Sequence, residues 1–138
     1  MASAHFLHPL LAPRAPARRL VNRSRDITLA RRIEAAFDSR ARRTGLLGRQ
    51  GLSPDAVLAI APSNAIHTFG MQFSIDVLFV SRDGTVMKRA IAMKARRIAA
   101  TLRAFAVLEF AAGHPGVALT RVGDRLVVES DDRTPPLS

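Results

Sequence analysis

From His67 the chain alternates. His67, Phe69, Met71, Phe73, Ile75, Val77 and Phe79 share one parity; Thr68, Gly70, Gln72, Ser74, Asp76, Leu78 and Val80 share the other. A period of two marks a strand with one buried face. The stretch is too long for one ordinary strand, so a bend is expected near Gly70 or Ser74. Beyond Ile75 both parities turn apolar, which places that part at the centre of the fold. Asp83-Gly84 follows, the strongest short-range hairpin signal. A two-residue turn there joins Ile75–Arg82 to Thr85–Ile91 and pairs Val80 with Met87 and Val77 with Ala90.

The rest of the chain reads as short elements between turn signals. Ala56–Ala61 and Phe105–Phe110 are apolar runs of strand length. Val117–Val122 is a short element, and Leu126–Glu129 is a last alternating strand after the Gly123-Asp124 turn. Gly113-His114-Pro115-Gly116 is a turn. Ser39–Leu47 predicts a short helix capped by Asp38 or Ser39 and ended at Gly45 or Gly48. Ile27–Phe37 fits strand or helix. Lys88–Arg103 reads as a strand end and loop. The fold class expected is mainly β: a small sandwich or barrel of short antiparallel strands with one short helix near residues 39–47.

Charge changes this picture in one respect. Lys and Arg number 21 against 11 Asp and Glu, a net charge of +10 over 138 residues. Arg14, Arg18, Arg19, Arg23 and Arg25 occur in the first 25 residues, which hold no acid. Residues 1–24 are therefore read as a disordered basic tail, 25–130 as a single β-rich domain and 131–138 as a polar tail. His8, Pro9 and Pro13 interrupt the only leader-like apolar stretch, so a cytoplasmic chain is expected. No apolar run has the length of a membrane span. The absence of Cys excludes a disulfide scaffold, a cysteine nucleophile and a Cys-ligated zinc site. A basic surface favours anionic partners, with nucleic acid among them.

Four segments, in order, carry a family resemblance. Arg42-Arg43-Thr44-Gly45-Leu46-Leu47-Gly48-Arg49 fits R-x-x-G-L-[ML]-x-R. Ile66–Phe79 fits I-H-T-x-x-M-x-x-P-I-D-v-x-F, followed by the Asp83-Gly84 turn. Val107-Leu108-Glu109-Phe110-Ala111-Ala112-Gly113 fits V-L-E-x-x-x-G, and Gly123-Asp124 closes the series. Over about residues 25–129 the chain resembles the bacterial and archaeal domain-of-unknown-function family 192. The resemblance implies a mostly β domain of sandwich or barrel type and no established activity. Ser74 departs from the family's Pro. Lys94-Ala95-Arg96-Arg97 stands where a Pro and an aromatic are expected.

Few residues are left to carry chemistry. Asp76 lies in an apolar strand, where a carboxylate is costly unless paired. It reads as a general base or ligand anchor, or as a structural acid paired with Arg42 or Arg49. His67 reads as an acid/base group, or as a core histidine with a backbone partner. Glu109 interrupts a strand and shares a face with Val107. It reads as a second carboxylate opposite Asp76, or as an acid on an edge strand or rim. Gly45–Gly48 reads as a helix end docking its leucines rather than as a nucleotide clamp. No phosphate loop, nucleophile elbow or zinc-protease motif occurs. Neither a metal site nor a cofactor is expected.

The leading expectation is a small domain that binds an anionic small molecule or a protein partner. The surface expected to do so comprises His67, Thr68, Met71, Asp76 and Arg49. An enzyme using His67, Asp76 and Glu109 is one alternative. Nucleic-acid binding through the tail and Lys88–Arg103 is the other.

Overall fold

The three most apolar runs become the middle of one sheet. Ala56–Ile60 (β4), Ile75–Val80 (β6) and Ala106–Ala111 (β9) are buried almost throughout. The computed structural model describes residues 4–12 and 17–131. Before β4 come Arg18–Asn22 (β1), Ile27–Ala30 (β2), Arg32–Ala36 (β3) and the helix Ser39–Thr44 (α1). Ala65–His67 is β5, Val86–Met93 is β7 and Ile98–Ala100 is β8. The helix Pro115–Leu119 (α2) and Leu126–Ser130 (β10) complete the order.

Among the described residues the strands form three sheets. The central one has the order β3-β4-β9-β6-β7, a second has β10-β1-β2, and β5 pairs with β8 alone. The second sheet packs on one face of the central sheet. Leu20, Leu29, Leu126 and Val128 meet Val57, Leu78, Leu108 and Phe110 there. On the opposite face, Leu58, Ile60, Val77, Phe79 and Val107 pack with Leu46 after α1 and with Ile66 and Ala99 of the β5–β8 pair. The central sheet is thus covered on both sides, and its inner strands need apolar residues at both parities. That is why Ala56–Ile60 and Ile75–Val80 read as unbroken apolar runs.

The mainly β layered fold is as expected, with both large sheets open rather than closed into a barrel. The pairing is antiparallel except between β3 and β4, which are parallel. α1 forms where expected, and the Asp38 carboxylate caps it by accepting from Ala41 N at 2.8 Å. Gly45 (φ +48°) ends it. The hairpin also forms. Gly84 has φ +92°, and a side chain there would strike the Leu126 carbonyl oxygen at 2.2 Å. Val77 faces Ala90 as expected, but Val80 faces Val86 rather than Met87, because the register slips between Phe79 and Val80.

Other expectations are corrected. Residues 18–22 are not a tail: they form the central strand of the second sheet, with Leu20 fully buried. Their arginines are matched across the ladder. The Arg19 guanidinium meets Glu129 at 2.5 Å, and Arg18 donates to Ser130 Oγ at 2.9 Å. Leu7, ahead of β1, is also fully buried, and a 3-10 turn follows at His8–Leu11. Within the segments read as tails, residues 1–3, 13–16 and 132–138 lie outside the described residues. Ile27–Phe37 resolves into two strands, and Lys88–Arg103 contains most of β7 and all of β8. A second helix stands where a turn was expected. His114 caps it, Pro115 opens it, and a Cβ on Gly116 would lie 2.9 Å from Leu29 Cδ2. No helix among the described residues is long and apolar enough to cross a membrane.

Candidate functional site

Two buried acids, Asp76 and Glu109, interrupt the inner strands of the central sheet, and they point to opposite faces. Asp76 pairs in register with Phe110, and Glu109 pairs with Val77 on β6 and Leu58 on β4. Leu108 and Phe110 belong to the core beneath the second sheet; Val77, Val107 and Leu58 belong to the other. The paired carboxylates considered from sequence therefore do not meet.

Asp76 is a structural acid. It is 1% exposed, and its oxygens accept from Ala92 N at 2.8 Å and His114 N at 3.1 Å. Ala92 has φ +52° and sits where the β6–β7 register shifts between Ile75 and Val77. The carboxylate thus pins a bulge on one side and the β9–α2 corner on the other. Its partners are backbone N–H groups; Arg42 and Arg49 bond elsewhere.

His114 is the core histidine that the sequence reading placed at His67. Its Nδ1 accepts from Val117 N at 3.1 Å. The proton must then sit on Nε2, which faces the Leu29 carbonyl oxygen at 2.7 Å. His67 itself is exposed, with its ring 5.9 Å from that of Phe69. The alternation counted from His67 does not hold, because residues 68–74 form no strand. Thr68 is fully buried. Its hydroxyl donates to Lys94 O at 2.5 Å and accepts from Arg97 N at 2.9 Å, tying down the loop before β8.

Glu109 is different. It occupies a central strand rather than an edge or rim, and it is 3% exposed. Its Oε2 is buried without a hydrogen-bond partner among the described residues. Burial pushes the carboxyl up to about 7, although the positive charge of Arg49 opposes this. Arg49 is held at 2.8 Å from Glu34 and lines the neighbouring groove beside α1.

Above Glu109 lies a cleft of about 130 Å³. The end of α1 and the turn after it supply Arg42, Arg43, Leu46 and Leu47, and β5 supplies Ile66 and His67. Ser63 and Met71 complete the wall. The structure thus brings His67, Met71 and Glu109 together and leaves Thr68, Asp76 and Arg49 outside. Arg42 and Arg43 were noted in sequence only as motif residues or as a partner for Asp76. Arg42 donates to Phe37 O at 2.7 Å and Arg43 to Ser39 O at 3.3 Å. Neither forms an ion pair among the described residues, so guanidinium N–H groups remain for a ligand. No group of three or more His, Cys, Asp or Glu among the described residues could hold a metal ion.

The family model for DUF192, described as an uncharacterized ACR, matches residues 20–128. The chain belongs to the DUF192 family. Two solved structures share its fold. One is a protein of unknown function from Novosphingobium aromaticivorans DSM 12444, 21% identical, with a TM-score of 0.67 over 91% of this chain and 93% of that one. The other, from Sinorhizobium meliloti 1021, is described as a "putative transcription regulator"; it is 23% identical, with a TM-score of 0.66 over 91% and 96%. Among curated proteins none matches. These likenesses bear on the fold of this DUF192 protein and leave its activity to the chemistry of its own residues.

Two predictions follow from the two acids. Asp76→Ala leaves two inward N–H groups without an acceptor and should cost about 3 kcal/mol of stability in urea unfolding; Asp76→Asn, which keeps one acceptor oxygen, should cost less. A loss under 1 kcal/mol for Asp76→Ala would contradict the bracing role. Glu109 works through pH. Its folded pKa is raised from 4.5 to about 7, so as pH climbs the unfolded chain releases this proton first. The contribution is complete below pH 4.5 and is lost as pH rises to about 7, a decline of about 3 kcal/mol. Glu109→Gln, which stays neutral, should abolish that part of the slope and be the more stable protein at pH 8. Parallel curves for the two proteins between pH 5 and 8 would contradict it.

Proposed function

We propose that this DUF192 protein binds a small anionic molecule, or the anionic end of a larger one, in the cleft above Glu109. The observation that carries the reading is the buried Glu109 carboxyl, its Oε2 unpartnered among the described residues, beneath Arg42 and Arg43, which form no ion pair among those residues. Burying a polar atom without a partner costs free energy, and a ligand atom in the cleft would recover it. Guanidinium groups at the mouth match carboxylate or phosphate geometry. The volume of about 130 Å³ favours a small group, since pockets that enclose drug-sized ligands span about 300–1,000 Å³.

The state of Glu109 decides how an anion is received. The neutral carboxyl donates a hydrogen bond, whereas the ionised one repels. Binding then requires the protonated form and weakens by about tenfold per pH unit above the pKa. A thermal-shift panel of inorganic phosphate, small carboxylates and sugar phosphates tests this. At least one compound should raise Tm, and more at pH 6 than at pH 8. Glu109→Gln should keep the rise and lose its pH dependence; the Arg42→Ala/Arg43→Ala pair should lose the rise. A panel with no shift at either pH contradicts the reading.

Proton transfer in the same cleft is a second reading, favoured by a carboxyl that titrates near neutrality with His67 in the same wall. Glu109→Gln separates the two: binding alone survives the substitution, and turnover does not.

A further inference from the structure

The corner of the molecule built around β5 and β8 has a composition of its own. The chain carries no acid between Asp55 and Asp76, or between Asp83 and Glu109. β5 comes from the first of these segments and β8 from the second. Of the acids that end them on the C-terminal side, Asp76 and Glu109 are both buried. The second segment carries Lys88, Arg89, Lys94, Arg96, Arg97 and Arg103. Arg89 is engaged with the carbonyls at the end of α2 and Lys88 with Ala100 O; the other four are exposed and form no ion pair among the described residues.

Large apolar side chains stand among these charges. Leu102 is 88% exposed, Ile98 72%, Phe69 48% and Ile91 46%. The strand period explains Ile98. Ala99 packs inward with Ile66, so its neighbour Ile98 faces out, opposite His67 in the β5–β8 register. His67 in turn lies against Phe69. Ile91, Lys94, Arg97 and Ile98 line one shallow groove. Leu102 and Arg103 form the tip of a turn closed by Ala104 N donating to Thr101 O at 3.0 Å.

We infer that this corner docks onto the surface of an anionic phospholipid bilayer. Two features must be met by one partner: cations carried by acid-free segments and free of ion pairs among the described residues, and aliphatic side chains held in water. A bilayer meets both, with phosphates at headgroup level and an apolar layer immediately below. Nucleic acid meets the second poorly: Phe69 and His67 offer rings on which a base stacks, but the more exposed Ile98 and Leu102 offer none. Ile98, Leu102 and Phe69 would enter the headgroup boundary, while Lys94, Arg96, Arg97 and Arg103 face the phosphates. This inference is independent of the ligand reading of the Glu109 cleft.

Cosedimentation of the full chain with vesicles tests it. The protein should pellet with phosphatidylcholine vesicles containing phosphatidylglycerol and not with phosphatidylcholine alone, and high salt should release it. Ile98→Ser and Leu102→Ser leave the charge unchanged and alter only exposed positions. Together they should weaken vesicle binding by about tenfold or more with Tm unchanged. Leu102→Ser alone, in a turn outside every strand, should show part of the loss. Failure to pellet with the anionic vesicles overturns the inference. So does full binding by the serine pair, which would mean adsorption by charge alone. Binding to polyuridylate by a protein that ignores the vesicles overturns it too, in favour of a nucleic-acid surface.

Discussion

The central sheet is buried on both faces, and this constraint governs the rest of the molecule. A strand so placed has no parity that water reaches. A polar side chain in it must find its partners within the protein or remain unsatisfied. β6 and β9 carry one acid each, and the two meet the constraint in opposite ways. Asp76 takes two backbone N–H groups and thereby fixes a bulge and a corner. Glu109 has an oxygen with no partner among the described residues. Folding alone does not account for a carboxyl left in that state, which is why the functional reading is centred on it.

Other buried acids and amides of this protein are held by several partners. Asn22 donates to Thr120 Oγ1 and to Asp124 Oδ2, both at 3.0 Å, joining β1 to the turn before β10. Asp124 also accepts from Arg25 Nε at 2.6 Å and Arg121 N at 2.9 Å. Burial works to raise its pKa, but these hydrogen bonds together hold it below the usual carboxylate range. Its contribution to stability is therefore present above pH 3.8 and is lost as pH falls through the lowered value, a window separate from that of Glu109.

Much of the architecture was legible from local chemistry. Apolar runs marked β4, β6 and β9; Asp83-Gly84 marked the hairpin; Asp38 marked the start of α1. What was not legible depends on partners distant in the chain. β1 looked like a charged tail because its arginines are balanced only by Glu129 and Ser130, over a hundred residues away. α2 looked like a turn because Pro115 and Gly116 signal one, while the His114 ring that caps the helix signals nothing locally. The site was half legible. Glu109 was seen to share a face with Val107, but the face of Asp76 relative to it depends on the β6–β9 register, which no local pattern sets. His67 reached the cleft for a reason other than the alternation that singled it out.

The proposed site depends on Glu109 being buried, unpaired among the described residues and raised in pKa to about 7. Carbon NMR of the side-chain carboxyl, followed against pH in protein labelled at glutamate and assigned with Glu109→Gln, reads this directly. Only Glu34, Glu109 and Glu129 contribute signals, so assignment is tractable. The expected midpoint for Glu109 is near 7. A midpoint near the ordinary 4.5 would mean that water or a partner satisfies the carboxyl, and would contradict the claim.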